Sequence, residues 1–128
     1  MKLTKSVDFA MRVLIRLARE GGPLTMPVLS KELAISYHHL SKLVQRLRDG
    51  EFLRTIQGKY GGVVLGKAPE LVSLRMVVEL MDGPTRLSEC LDTGHCFLSS
   101  DCKLKTTLSG VQADINDRLD AVTLSGLL

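Results

Sequence analysis

Two helix patterns followed by a hairpin pattern, in residues 25–65, constrain the fold of this 128-residue chain most strongly. Thr25 is placed to cap a short helix with Pro27 in its first turn, and Ser36 is placed to cap a longer helix over residues 37–48. The apolar residues of the longer helix recur at spacings of three and four, and they are Leu40, Leu43, Val44 and Leu47. Two helices joined by a tight turn predict a helix-turn-helix.

The segment after these helices has the pattern of a β-hairpin. Residues 52–56 and 63–65 have the composition of strands, and the turn between them contains three glycines. A hairpin in this place predicts the winged variant of the helix-turn-helix, in a fold that is mainly α with a small β-hairpin. Glycines at the tip allow the backbone to approach a sugar-phosphate chain, while Lys59 enters a minor groove beside Tyr60.

Polar side chains on the outer face of the second helix can donate to phosphates or reach base edges in a major groove. These residues are Tyr37, His38, His39, Ser41, Lys42 and Gln45. An ordinary solvated helix face is the alternative. Residues 1–67 contain twelve Lys and Arg against five Asp and Glu, whereas residues 68–128 contain five against nine. A basic half joined to an acidic half favours a polyanion as partner of the first half, here a double-stranded DNA operator.

All three cysteines lie in one short stretch at even spacing, as Cys90, Cys96 and Cys102. Three thiols cannot all pair in disulfides within one chain, so an odd, clustered set indicates a soft-metal site rather than a disulfide framework. Thiolates favour zinc, copper(I) and iron–sulfur clusters. A structural zinc site is therefore an alternative to a cluster, and three inert buried thiols are another.

The last part of the chain has an apolar stripe at helical spacing. It consists of Leu104, Leu108, Val111, Ile115, Leu119 and Val122. Such a seam is what a partner helix packs against, and a two-fold homodimer would bury it while providing two DNA-binding heads. Alternatively, the stripe packs against its own domain. We therefore expect three parts: a DNA-binding region in residues 1–67, a connecting helix and cysteine loop in 68–102, and a dimerisation helix in 103–128.

Membrane and secretory functions are not expected from this sequence. No apolar run approaches the roughly 20 residues that span a bilayer. Charged residues are scattered through the first twenty positions, which argues against a signal peptide and favours the reducing cytoplasm. There is no nucleophile–base pairing and no nucleotide fingerprint, so we do not expect an enzyme.

Three sets of residues carry a resemblance to a known family over essentially the whole chain. They are Leu3-Thr4 with Asp8-Phe9-Ala10-Met11-Arg12, the wing Gly58-Lys59-Tyr60-Gly61-Gly62 with Leu65, and the evenly spaced cysteines before a long helix. In this order of parts the chain resembles the iron–sulfur winged-helix transcription regulators of the NsrR, IscR and RirA group. The resemblance implies a homodimer whose long C-terminal helices cross, with a cluster beside the dimer interface.

The fourth ligand separates the branches of that group. IscR-like members place a His three residues after the last cysteine, where this chain has Lys105. NsrR-like members are similar to this chain in having an Asp at position 8, which in that branch ligates a four-iron cluster from the opposite subunit. The resemblance therefore implies Asp8 as a metal ligand, in a 4Fe-4S cluster rather than a 2Fe-2S one. The rival ligands are His95, Glu89, Asp92, Asp101 and a non-protein group.

The expected function is that of a DNA-binding transcriptional repressor. The resemblance to the NsrR branch implies that it senses nitric oxide through the cluster, because iron with a hard, weakly held carboxylate ligand is open to attack by a diatomic molecule. An iron-availability or redox sensor of the RirA or IscR type is the nearest alternative. A zinc-stabilised DNA-binding protein is a further one.

Overall fold

The computed structural model of the chain describes residues 2–92, 96 and 101–128. Within these residues it has five α-helices and one antiparallel hairpin. They are α1 (Lys5–Glu20), α2 (Met26–Leu33), α3 (Tyr37–Asp49), β1 (Leu53–Ile56), β2 (Gly62–Leu65), α4 (Leu74–Asp82) and α5 (Lys103–Ala121). Short 3₁₀ turns lie at Pro69–Leu71, Glu89–Leu91 and Ser125–Leu127. The mainly α fold with a small hairpin is confirmed.

The helix ends follow local sequence signals, with one exception. The Thr4 hydroxyl accepts the backbone N–H of Val7 at the start of α1, and the Ser36 hydroxyl accepts that of His39 at the start of α3. Thr25 occupies the predicted N-cap position of α2, but its side chain makes no capping hydrogen bond. Pro27 at the second helical position removes one of the two N–H groups that an N-cap can accept, and Thr25 does not use the other, that of Val28.

The core is built around α1, which packs against α3, α4 and β2. All four residues predicted to face inward on α3 are buried, with exposures of 3% or less. On α4 the buried residues are Val77, Val78 and Met81, while Leu74 is only partly buried. Fully buried aliphatic side chains of this kind contribute about 1.5–3 kcal/mol each. This core therefore holds the helix-turn-helix and α4 together as one body.

The hairpin is attached to the segment that leads into α2. β1 and β2 pair in the register Leu53↔Leu65 to Ile56↔Gly62. Val63 also exchanges two backbone hydrogen bonds with Leu24, at 3.1 and 2.8 Å. Gly62 has a φ of 152°, and a Cβ at this position would lie 2.6 Å from the carbonyl oxygen of Leu24. Glycine is required here because the two backbones approach so closely, and the contact fixes the hairpin relative to α2.

α5 lies at the edge of this body and packs along α4 and the turn Glu89–Leu91. None of its residues is buried. Its C-terminal end returns to the start of α4, because Leu74 donates its N–H to Val122 and Leu124 donates to Val72, both at 2.8 Å. Among the residues described, no helix is both long enough and apolar enough to cross a membrane.

Candidate nucleic-acid interface and cysteine site

The outer face of α3 presents most of the side chains predicted to contact DNA. Tyr37, His38, Lys42 and Gln45 are exposed, whereas Ser41 is half-buried. His39 is also half-buried, because its ring meets Phe9 edge-on at a centroid distance of 5.1 Å. The structure thus makes His39 in part a packing residue between α3 and α1. Its contact with DNA stays a prediction, like those of the other five.

A groove of about 480 Å³ runs between α3, the start of α2 and the wing. Its lining includes Thr25, Tyr37, Ser41, Arg48, Gln57 and Gly58. Arg48 donates to the hydroxyl of Thr55 at 3.1 Å and so links α3 to β1. The groove is open to solvent, and the bond from Arg48 to Thr55 links the two elements that border it.

The tip of the wing is exposed. The ring of Tyr60 is 84% exposed, and the Lys59 ammonium lies 5.6 Å from the centre of that ring. Such a cation–π contact stabilises an exposed pair by only about 0.5–1 kcal/mol. Lys59 is therefore free to leave Tyr60 for a phosphate group, since a phosphate offers a full negative charge.

Arg46 is a residue whose role sequence reasoning missed. It lies on α3, but its guanidinium donates to the carbonyl oxygens of Leu80 and Met81, at 2.9 and 2.8 Å. These are among the last carbonyls of α4, where a cation also interacts well with the helix dipole. Leu80 and Met81 lie 34 and 35 residues after Arg46 in the sequence, so no local sequence pattern predicts these hydrogen bonds.

A second link reaches the end of α4 from the start of α1. The hydroxyl of Thr4 donates to the carboxylate of Asp82 at 2.8 Å. The C-terminal end of α4 is thus held by α3 and by α1, and the chain continues from it directly toward the cysteines. This junction connects the face of α3 predicted to contact DNA to the segment with the thiols.

The three thiols are not in disulfides. Cys90 and Cys102 are half-buried and Cys96 is exposed. Cys102 is the N-cap of α5, and its sulfur accepts the backbone N–H of Lys105 at 3.4 Å. The sulfur of Cys90 lies 3.2 Å from the hydroxyl of Ser88. A helix N-terminus favours negative charge, so this donor set suits a soft metal bound by thiolates.

The carboxylate of Asp8 pairs with a residue of its own helix. Its side chain is half-exposed in the first turn of α1 and pairs with Arg12 at 2.9 Å. In residues 2–92, 96 and 101–128, no three His, Cys, Asp or Glu side chains are grouped so that they could hold a metal ion. The ligand set named from the sequence therefore stays a prediction. An exposed carboxylate is accessible to a second subunit, which is where the resemblance places its metal.

The rival ligands have varied surroundings. Asp92 forms an ion pair with Arg86, and Asp101 is exposed. Glu89 is exposed and begins the turn Glu89–Leu91. His95 lies outside the described residues. Asp92 would have to leave Arg86 before it could bind a metal.

The apolar stripe of α5 divides into two halves. Leu104 and Val111 are 65% and 43% exposed. Leu108, Ile115, Leu119 and Val122 are half-buried. Ile115 and Leu119 line a groove of about 450 Å³ beside α4. The C-terminal half of the stripe thus meets its own domain in part, as the alternative expected, while Leu104 and Val111 are open to solvent.

Two arginines fasten the helices on which these surfaces lie. Arg16 bonds Glu20 at 2.8 Å and Glu32 at 2.7 Å, joining α1 to α2. The hydrogen bond from Arg16 lowers the pKa of Glu32 below its ordinary value of 4.5. Arg75 joins α4 to α5, and its hydrogen bonds to Asp120 and Glu79 raise the pKa of the arginine.

A helix pair with an exposed polar face, followed by a hairpin with a basic tip, defines the winged helix-turn-helix regulators that bind DNA. The chain belongs to the Rrf2 family of iron-dependent transcriptional regulators, whose family profile matches residues 3–128. Among its relatives is the HTH-type transcriptional regulator NsrR of Bacillus licheniformis, 35% identical, with 100% of this chain and 92% of that protein covered. The HTH-type transcriptional repressor NsrR of Streptomyces coelicolor is 30% identical, with 100% and 88% covered.

Solved structures agree with this assignment. The structure of CymR, the global cysteine regulator of B. subtilis, matches with a TM-score of 0.80 and 25% identity, covering 99% of this chain and 95% of that one. T. potens IscR has the same fold, with a TM-score of 0.80 at 18% identity and coverage of 99% and 85%. The NsrR-like resemblance and the winged-helix fold are confirmed. The relatives are transcriptional regulators, so the prediction that the chain is not an enzyme is confirmed as well.

Proposed function

We propose that this protein is a cytoplasmic homodimeric repressor that senses nitric oxide through an iron–sulfur cluster, 4Fe-4S rather than 2Fe-2S. Cys90, Cys96, Cys102 and Asp8 of the partner subunit would hold the cluster. The observation that carries the proposal is the placement of three free thiols in the segment between α4 and α5, next to a junction that holds the recognition helix α3. The names of the relatives and the iron-dependent family support it.

The donor set fits such a group. Three thiolates suit iron, and the N–H of Lys105 already donates to the sulfur of Cys102. A carboxylate is a harder and weaker ligand among thiolates, so Asp8 would be the ligand most readily lost. When bound, the cluster supplies iron that nitric oxide can attack.

Arg12 offers Asp8 an alternative partner. The Asp8–Arg12 ion pair at 2.9 Å is the state of the carboxylate in the isolated chain. An exposed pair of this kind stabilises by only about 0.3–0.5 kcal/mol, so it does not prevent Asp8 from binding a metal. After its release from a metal, the Asp8 carboxylate can pair with Arg12 on its own helix.

The junction at the end of α4 can carry a change at the cysteines to the DNA-binding face. Thr4, four residues before Asp8, is bonded to Asp82, and Arg46 of α3 is bonded to the carbonyls of Leu80 and Met81. A shift of α1 or α4 therefore moves α3. In a dimer, such a shift changes the separation of the two recognition helices. Half-sites lie about 34–36 Å or a multiple apart, so a change of a few ångströms lowers specific affinity.

An iron-availability sensor of the RirA or IscR type is the second candidate. The observation that favours it is the family's description as iron-dependent, which names iron as the controlling factor rather than a gas. The two candidates share the cysteine ligands and differ in the signal. Removal of iron by a chelator would release DNA from the iron sensor, whereas nitric oxide would release DNA from the nitric oxide sensor.

Replacement of Asp8 tests the ligand set. We expect Asp8→Ala to remain a dimer that assembles a cluster, but to lose it faster to a chelator, because one ligand is missing. Asp117→Ala, at an exposed aspartate of α5, is the matched control and should behave like the parent protein. The measurement is anaerobic absorbance of both variants during titration with nitric oxide and with chelator. Unchanged cluster lifetime and response in Asp8→Ala would remove this residue from the site.

A further inference from the structure

Two amides on α5 bind the chain just before the first cysteine. The side-chain oxygen of Gln112 accepts the backbone N–H of Leu87 at 2.7 Å. The side-chain nitrogen of Gln112 donates to the Thr85 hydroxyl and to Oδ1 of Asn116, both at 3.1 Å. The Thr85 hydroxyl in turn donates to Oδ1 of Asn116 at 2.6 Å. We call Thr85, Gln112 and Asn116 the amide clamp.

The donors and acceptors of the clamp are fixed in direction. A backbone N–H can only donate, so the atom of Gln112 that faces Leu87 must be its oxygen. The nitrogen of Gln112 then faces Thr85 and Asn116, and Asn116 takes part only as an acceptor through Oδ1. Gln112 must both accept and donate, whereas Asn116 needs only to accept. The two amides are therefore not equivalent.

The clamp and the last cysteine are attached to the same helix. Leu87 lies three residues before Cys90, and the turn Glu89–Leu91 packs on α5. Cys102 caps the N-terminus of α5, ten residues before Gln112, which is about 15 Å along a helix axis. α5 thus holds both ends of the segment that contains Cys90 and Cys96.

We propose that Gln112 is a positioning residue for the cysteine site. It fixes the backbone of residues 85–87 on α5 and so sets where Cys90 lies relative to Cys102. Without the clamp, this backbone must be ordered when the thiols bind a metal, and that conformational entropy weakens binding. The identity of the metal rests on the proposed function, but the clamp itself exists in the metal-free chain.

The difference between the two amides supplies the test. Gln112→Met keeps a side chain of similar length, but it removes the oxygen that accepts from Leu87 and the nitrogen that donates to Thr85 and Asn116. Asn116→Asp keeps the accepting oxygen, and its charge strengthens both bonds that it accepts. Methionine and glutamine have similar helix propensities, so the first change does not itself destabilise α5. The clamp therefore predicts a clear effect for Gln112→Met and none for Asn116→Asp.

The first measurement uses the metal-free protein. We expect the Leu87 amide of Gln112→Met to exchange its hydrogen about tenfold faster than in the parent protein, because the accepting oxygen is gone and a bond of about 1.4 kcal/mol is lost. Cys90, kept as the single cysteine in a background with Cys96→Ser and Cys102→Ser, should be alkylated faster as well. Asn116→Asp should match the parent protein in both measurements. Thr85→Val, which lies off the helix, should increase both rates by less than Gln112→Met does, because it removes the two Thr85 bonds and leaves the Leu87 bond in place.

The second measurement uses protein reconstituted with ferrous iron and sulfide, then challenged with EDTA. Loss of a supporting residue behind a ligand typically weakens metal binding by about 10–100-fold, so Gln112→Met should release iron faster and Asn116→Asp should not. Equal behaviour of the two variants in exchange and alkylation would overturn the clamp. Faster exchange and alkylation in Gln112→Met alone, in a chain that binds no iron, would support the clamp and refute the proposed function. Nitric oxide sensing in a protein whose exchange, alkylation and iron release are unchanged by Gln112→Met would refute the clamp and support the proposed function.

Discussion

The link between Arg46 and the end of α4 predicts a measurable loss of stability when it is removed. Arg46→Met keeps the aliphatic stem and removes the guanidinium that donates to Leu80 and Met81. The change leaves two carbonyls at the end of α4 without their cation. It also disconnects the recognition helix from the segment that leads to the cysteines.

The size of the loss follows from the geometry. Hydrogen bonds from a charged group contribute about 1.5–3 kcal/mol each when buried, and a cation at a helix C-terminus adds about 0.3–1 kcal/mol. Arg46 is exposed, so water can replace part of both contributions. We expect a net loss of about 2 kcal/mol in the free energy of unfolding. For 128 residues this corresponds to a fall of about 7 °C in Tm.

Thermal unfolding of the metal-free protein, followed by circular dichroism at one protein concentration, measures this loss. Arg54→Met is the control, because Arg54 is an exposed arginine on β1, and we expect a change within about 0.5 kcal/mol. Arg46→Lys should fall between the two, since a single ammonium keeps the charge but not the planar fork. A fall below about 2 °C for Arg46→Met, or an equal fall for the control, would refute the reasoning.

Three further changes test the DNA contact, the dimer and the charge network. Lys59→Ala should weaken binding to specific and random DNA alike and lower the salt slope by about one, as loss of one phosphate contact requires; loss of specific binding alone would mean that the wing contacts base sequence or shape. Val111→Glu places a charge on the exposed part of the stripe, and sedimentation should show a monomer, while an unchanged dimer would exclude this face. Glu32→Gln should be less stable than the parent protein above the ordinary pKa of 4.5, because the bond from Arg16 lowers that pKa. The difference should vanish as pH falls through the lowered pKa, and a urea series in which it grows toward acid would contradict the assignment.

Local signals were sufficient to predict most of the fold. Ser36 begins α3 as predicted, and the apolar spacing on α3 identified every residue that the helix buries. These features depend on hydrogen bonds and periodicity within a few residues, which a single sequence displays directly. Thr25 holds its predicted cap position without a capping bond, and Pro27 accounts for only one of the two N–H groups that it could have accepted.

The sequence alone could not predict contacts between segments that are distant along the chain. Arg46 has the spacing of a surface residue on α3. No sequence pattern near it predicts a hydrogen bond to the carbonyl of Leu80, 34 residues away. The amide clamp joins Thr85 to Asn116 across 31 residues, through polar side chains that fit an exposed helix equally well. Periodicity also placed His39 on the DNA face without its contact to Phe9, because that contact depends on the angle between α1 and α3.

For the cysteines, the sequence carried a chemical prediction and little geometry. Even spacing of Cys90, Cys96 and Cys102 indicated thiols available for a metal, and all three are free. Asp8 came from the resemblance, and its contact in the chain is with Arg12. A ligand contributed by a second subunit leaves no trace in the contacts of one chain, so sequence pattern and family likeness carry that assignment.

An anaerobic titration of the reconstituted protein with nitric oxide tests the central claim most directly. Absorbance of the chromophore and binding of an operator fragment are followed in the same samples. We predict a brown chromophore that nitric oxide bleaches stoichiometrically while DNA is released in parallel. A chromophore lost to chelator but insensitive to nitric oxide would contradict the nitric oxide sensor in favour of the iron sensor, and a colourless zinc protein would contradict both.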